Sequence, residues 1–218
     1  ESANAILEAW LPGEEGGAAV AALLFGDAEP AGRLPVTFPR HVGQLPVYYN
    51  RKPSGLRSHW YGDYVTEKAA PLYPFGHGLS YTTFAYHDLS IAPQAATVGG
   101  TVDIRLRVTN TGERPGIEVV QLYTRDEFST TPRPIMELKG YARLSLAPGE
   151  SNTVTFHLPV DLLAFPNSDL DLVLEAGRIQ VMLGSSSADI RLTGGFELTG
   201  APSMPVNERL FACPVTIQ

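Results

Sequence analysis

TVDIRLRV, residues 101–108, alternates apolar and polar side chains without a break. Val102, Ile104, Leu106 and Val108 fall on one face, and Asp103, Arg105 and Arg107 on the other. A period of two is the pattern of a strand with one face in a core and one in water. NTVTFHLPV (152–160) repeats it with Val154, Phe156, Leu158 and Val160. FAYHDLSI (84–91), GIEVVQLYT (116–124), LKGYARLSL (138–146), LDLVLEAG (170–177), GRIQVMLG (177–184) and ADIRLTGGFEL (188–198) are further strand candidates. NTGERPG, APGES and EAGR read as the turns between them.

Short strands at this spacing over roughly 110 residues predict an antiparallel β-sandwich. The Cys…Trp…Cys pattern of immunoglobulin domains is absent, which favours the fibronectin type III-like version.

Residues 1–83 follow other rules. AILEAW (5–10) reads as a short strand, PGEEGG (12–17) as a turn, and GAAVAALLF (17–25) as a helix stopped by Gly26-Asp27. A long stretch rich in Pro and Gly then runs to Leu79. One parallel-type strand and one helix cannot bury their own apolar faces. This part is therefore expected to be the end of a larger α/β domain, poorly ordered alone or covering its apolar surface by association. The chain divides into 1–50 (end of an α/β sandwich), 51–83 (irregular connector), 84–198 (fibronectin type III-like sandwich) and 199–218 (unassigned tail).

The composition is that of a globular chain: 218 residues, 44% hydrophobic and 18% charged. Net charge is −7, and the longest basic cluster is Arg51-Lys52, so no basic face for nucleic acid is visible. No apolar run approaches the ~20 residues of a membrane-spanning helix. Cys213 is the only cysteine, which excludes an internal disulfide and a cysteine-rich metal site.

Glu14 and Glu15 raise the question of a catalytic pair. Adjacent Cα atoms lie about 3.8 Å apart, and neighbours on a helix point about 100° apart. Two acids that flank one glycosidic bond stand ~5 Å or more apart on opposite sides. Both acids instead precede a helix, where N–H groups are unpaired and the dipole end is positive, so a role at the helix N-terminus is expected. SHWYGDY (58–64) is the most site-like stretch, mixing imidazole, indole, phenol and carboxylate. Its aromatics serve equally to stack on a sugar or to anchor a coreless loop. In LYPFGHGLSY (72–81), His77 has no companion at metal-ligand spacing, and the segment reads as an aromatic connector. No GxSxG elbow occurs, and TRDE (124–127) lacks the spacing of a calcium loop. His157 alternates outward on its strand.

AILEAWLPGEEGG, LFGDAEPAGRLPVTFP, YPFGHGLSYTTF and QLYTRDE…RPIMELKGYARLSLAPGES, in this order, closely resemble the C-terminal part of glycoside hydrolase family 3 enzymes. The likeness is to bacterial-type β-glucosidases, with β-xylosidases as close relatives, and covers about residues 4–198. The resemblance implies a (β/α)8-type barrel, then an α/β sandwich, then a fibronectin type III-like domain. It implies retaining hydrolysis of β-glucosides or β-xylosides by an Asp nucleophile and a Glu acid/base, without a cofactor. Neither catalytic motif matches a position here, so no catalytic residue is carried over. Glu15 matches the family's P-G-x-E-G-G acid, which is not the proton donor.

By the same resemblance the loop Arg51–Tyr64 borders an active site, its own or that of a second copy in a homodimer. Arg57, His59 and Trp60 are its candidate substrate contacts. The implied partners are the barrel and α/β segments of the parent enzyme and a β-glucoside or oligosaccharide. A bacterial source is implied, and periplasmic, secreted and cytoplasmic locations all stay open. Two alternatives remain: a freestanding sandwich module that binds carbohydrate or protein, and one of two pieces that reassemble into an enzyme.

Overall fold

The computed structural model describes residues 3–53 and 68–218. The chain begins with an irregular stretch and helix α1 (Gly16–Phe25). A 3-10 turn, Val42–Gln44, interrupts the Pro/Gly-rich region. The strands then follow as β1 (Phe84–Ala92), β2 (Ala95–Ala96), β3 (Thr101–Asn110), β4 (Gly116–Asp126), β5 (Glu137–Leu146) and β6 (Ser151–Pro159). A second 3-10 turn, Val160–Leu163, leads to β7 (Phe165–Pro166), β8 (Leu172–Gly184), β9 (Ile190–Pro205) and β10 (Val215–Ile217).

Two sheets face each other. One has the order β1-β3-β6-β10; the other runs β2-β9-β8-β4-β5, with β7 added against β8. All pairs are antiparallel except the short β2–β9 contact. The architecture is a mostly β sandwich of the fibronectin type III-like kind, as the alternation in TVDIRLRV requires. In β3 the four apolar side chains have no exposed surface. They sit in register with the apolar face of β6: Val102 opposite Leu158, Ile104 opposite Phe156, Leu106 opposite Val154. Val120, Leu122, Leu144, Val181, Leu183 and Phe196 close the core from the other sheet. Each such side chain contributes roughly 1.5–3 kcal/mol through burial.

Two local expectations are corrected. AILEAW forms no strand, and Ile6, Leu7 and Trp10 stand partly or largely in solvent. A lone strand has no ladder to complete, and no described strand lies beside it. EAGR is not a turn. β8 runs straight through it, and the pairing with β9 shifts there: Glu175 pairs with Ser203 and Gly177 with Leu198, so the surplus residues lie on β9.

The helix starts at Gly16 and ends where Gly26 adopts φ +79°, the left-handed cap that glycine tolerates. Gly200 lies inside β9, and β10 extends the first sheet beyond β6 through Val215↔Phe156 and Ile217↔Val154. His157 is half-buried rather than simply solvent-facing. Its Nδ1 lies 2.7 Å from Asp103 on β3 and its Nε2 2.9 Å from Thr216 Oγ1 on β10.

Candidate functional site

Arg57, His59 and Trp60 lie outside the described residues. The two ends of the loop that carries them are described, and both are clamped. On the outgoing side, the Arg51 carbonyl accepts from Ile135 N–H at 3.0 Å, and Lys52 Nζ donates to the Pro132 carbonyl. On the returning side, the Nε2 group of Gln44 lies 3.1, 3.3 and 3.2 Å from the carbonyls of Lys68, Ala69 and Ala70. Gln44 Oε1 accepts from Arg40 N–H at 2.8 Å, and Arg40 Nε donates to Ala70 O at 3.0 Å.

Gln44 is only 3% exposed. A buried amide is retained where its donors and acceptor all find partners, as they do here. The turn that presents it is capped by its own sequence: His41 Nδ1 accepts from Gly43 N–H at 3.1 Å. Nothing in the residues around HVGQLP marks Gln44 in advance, because its partners are backbone carbonyls more than twenty residues away.

Aromatic rings pack next to this base. Tyr49 stacks on Phe75 at 4.2 Å and meets the edge of Tyr123 on β4 at 5.9 Å. Its hydroxyl accepts from Leu138 N–H at 3.2 Å. Burial pushes the phenols of Tyr49 and Tyr123 above their ordinary range, so both stay neutral. Tyr123 donates to Gln121 Oε1 at 2.5 Å, and Gln121 Nε2 donates to the carbonyls of Gly76 and Ser185. Gly76 has φ +79° and lies so close to the Gln121 amide that a Cβ would collide with it. Thus the YPFGHG motif is the place where the connector lies against β4, and its first glycine permits the approach.

A charged seam fixes the connector to the end of the sandwich. Glu118 on β4 and Arg33 form an ion pair of 2.9 Å, with side chains 3% and 8% exposed. Tyr86 on β1 donates to the second Glu118 oxygen at 2.8 Å. Arg191 on β9 lies 3.7 Å from Glu118 and 4.8 Å over the Tyr86 ring. Burial first, and the Glu118 charge second, hold the Tyr86 phenol well above its usual range. His77 stacks on Tyr73 at 5.3 Å, and burial, then Arg33, lower its imidazole pKa. Hydrogen bonding from Arg191 is the first cause that lowers Asp189.

Glu118 was legible in part. It shares the parity of Val120 and Leu122, so the alternation of β4 puts an acid on a core-facing position. Its partner Arg33, 85 residues away, was not.

Glu14 and Glu15 are exposed at the entrance of α1. Glu15 holds the N-cap position, yet its side chain makes no capping bond. Ser, Thr, Asp and Asn cap well because their short side chains reach back to the backbone, and glutamate is not among the preferred set. The Gly16 N–H is instead paired with the Gly13 carbonyl at 3.2 Å. The contacts of Gln44, Arg51 and Lys52 hold the described flanks of the loop, residues 51–52 and 68–70.

Comparison with known proteins agrees with this layout. Residues 1–81 match the glycosyl hydrolase family 3 C-terminal domain, and residues 118–187 match the fibronectin type III-like domain. The chain is similar to a periplasmic β-glucosidase of Salmonella typhimurium, 42% identical over 204 residues, covering 91% of this chain and 26% of that protein. It is similar to a β-xylosidase of Formosa agariphila, 43% identical over 187 residues, covering 86% of this chain and 26% of that protein. The structure of a β-glucosidase from Listeria innocua in complex with glucose superposes with a TM-score of 0.82 at 35% identity, covering 88% of this chain and 28% of the other. The chain spans about a quarter of the length of these relatives.

Proposed function

Because the chain belongs to glycoside hydrolase family 3, carrying that family's C-terminal domain and a fibronectin type III-like domain, we propose that it is the C-terminal part of a retaining β-glycosidase acting on β-linked glucosides of oligosaccharides. In this reading the chain contributes no member of the catalytic Asp/Glu pair. It stabilises the domains that do, and presents the loop Arg51–Tyr64 to the active site, its own or a second copy's. Arg57, His59 and Trp60 are the proposed substrate contacts on that loop.

The observation that carries the reading is a mismatch of surfaces. Leu11 is 98% exposed and Phe25 84%, whereas the four apolar side chains of β3 have no exposed surface. Large apolar side chains held in solvent are what an interaction face presents. Relatives about four times as long supply the class of partner, preceding segments of one enzyme.

The 218-residue chain is expected to give no turnover of an aryl β-glucoside above the buffer rate; measurable turnover overturns the claim that the catalytic pair lies elsewhere. In the full-length enzyme, Trp60→Ala should raise KM about tenfold, the loss of one aromatic contact. Unchanged kinetics would remove the loop from the active site.

A further inference from the structure

At the opposite side of the sandwich from the charged seam, the chain between β9 and β10 crosses an open cleft of about 210 Å³. Its lining holds three cations, Arg133, Lys139 and Arg209, and two carboxylates, Glu137 and Asp161. Both carboxylates are engaged. Glu137 bridges Arg133 at 2.8 Å and Lys139 at 3.7 Å, and Asp161 Oδ1 accepts from Gly99 N–H at 2.8 Å. Arg209 has no ion-pair partner among the described residues, and its guanidinium lies 5.7 Å over the ring of Phe211, which is 83% exposed.

The Nε of Arg133 is buried without a hydrogen-bond partner, while its guanidinium carbon lies 4.2 Å over the Phe165 ring. A buried donor without an acceptor is costly, and in native proteins it calls for an occupant or an explanation. Lys139 donates to the Leu162 carbonyl at 3.2 Å, and burial lowers its pKa against the attraction of Glu137, with smaller repulsions from Arg133 and Arg209. The cleft therefore has cations in excess and an exposed aromatic ring at its rim.

We propose that this cleft is a non-catalytic binding site for a carboxylate-bearing sugar, one uronic acid residue of a saccharide. The carboxylate pairs with Arg209 and Lys139, where charge-assisted bonds are strongest in a partly desolvated site. The ring packs on Phe211, and its hydroxyls find the Glu137 carboxylate as an acceptor. The volume is below that of pockets for drug-sized ligands and fits a single ring. Leu138 of the lining also donates to Tyr49 at the loop base, but Arg209, Phe211, Lys139 and Glu137 make none of the contacts described there, so the site does not rest on the glycosidase reading.

Calorimetric titration of the 218-residue chain with glucuronate, glucose and acetate tests this. Saturable glucuronate binding is expected, about tenfold or more tighter than either control. Arg209→Ala should weaken glucuronate binding about tenfold, and Phe211→Ala several-fold. Both side chains are exposed, so an unchanged thermal melt for each variant separates lost binding from lost folding. No saturable glucuronate heat, or unaltered binding by Arg209→Ala, overturns the site. Equal affinity for acetate and glucuronate overturns the sugar and leaves only a bare anion site.

Discussion

The sandwich and the leading segment are built from similar apolar residues and treat them in opposite ways. In β3 and β6, Val102, Ile104, Leu106, Phe156 and Leu158 are fully buried against the second sheet. In α1, Leu24 is 69% exposed and Phe25 84%, and Gly16 is the buried residue of the helix. What separates the two regions is not composition but supply of partners. Each strand of the sandwich meets its neighbour within the chain. The helix is tied back mainly at its end, where Tyr81 donates to the Leu23 carbonyl at 2.7 Å. A ten-residue helix is marginal by itself, and tertiary packing supplies most helical stability in proteins. Self-sufficiency on one side and an unpartnered apolar face on the other is how a domain and a piece of a domain differ within one polypeptide.

The largest expected effect breaks the self-sufficient side. Phe156→Ala empties the centre of the β3–β6 face, with Ile104 directly opposite. Truncation of a fully buried Phe costs about 3–5 kcal/mol, the lost transfer energy plus the cavity. Chemical denaturation of the chain followed by tryptophan-independent far-UV signal should show the loss. A loss under about 1 kcal/mol would mean that the sandwich is not the source of the chain's stability.

The next effect cuts the link between the two regions. Glu118→Gln removes the charge that compensates Arg33, leaving a buried guanidinium without its counterion. Breaking one partner of a buried pair costs about 3–5 kcal/mol, and the neutral amide, which keeps the shape, should stand at the lower end. The loss should be uneven. Hydrogen exchange should quicken at Leu34 and Gly76, whose N–H groups bond to His77 O and Leu34 O within the connector, while β3 and β6 stay protected. Equal quickening in the sandwich strands would show that the seam is part of the core rather than a tether.

The contrast also explains what could be read in advance. TVDIRLRV disclosed the sandwich because alternation is a local signal, and the structure needed only neighbours of the same kind. AILEAW was misread as a strand for the inverse reason. Its apolar character is real, but a strand exists only in a ladder, and the residues beside it here supply none. EAGR carries turn residues, yet the long ladder between β8 and β9 overrides them, and the register shift at this point takes up surplus residues of β9. The loop base was legible only as a Pro/Gly-rich stretch. Gln44, Glu118 and Arg33 work through partners distant in sequence, and no local pattern encodes such a meeting.

The smallest expected effect sharpens the comparison most. Leu24→Ser and Phe25→Ser replace side chains as apolar as any in the core, and in the 218-residue chain both should change stability by no more than about 0.5 kcal/mol, the usual range for surface sites. The prediction is specific to the chain as it stands. If α1 is the edge of a larger α/β layer, the same changes in the full-length enzyme leave polar groups against an apolar partner, and should cost it 1–3 kcal/mol. A near-zero effect in the short chain joined to a clear loss in the long one is the signature of a face that waits for a covering segment. A clear loss in both would place a partner for Phe25 within these 218 residues, most simply a second copy, and sedimentation at two concentrations would then reveal it. A null result in both would leave the exposed residues without a role at the interface and remove the strongest physical support for the missing neighbour.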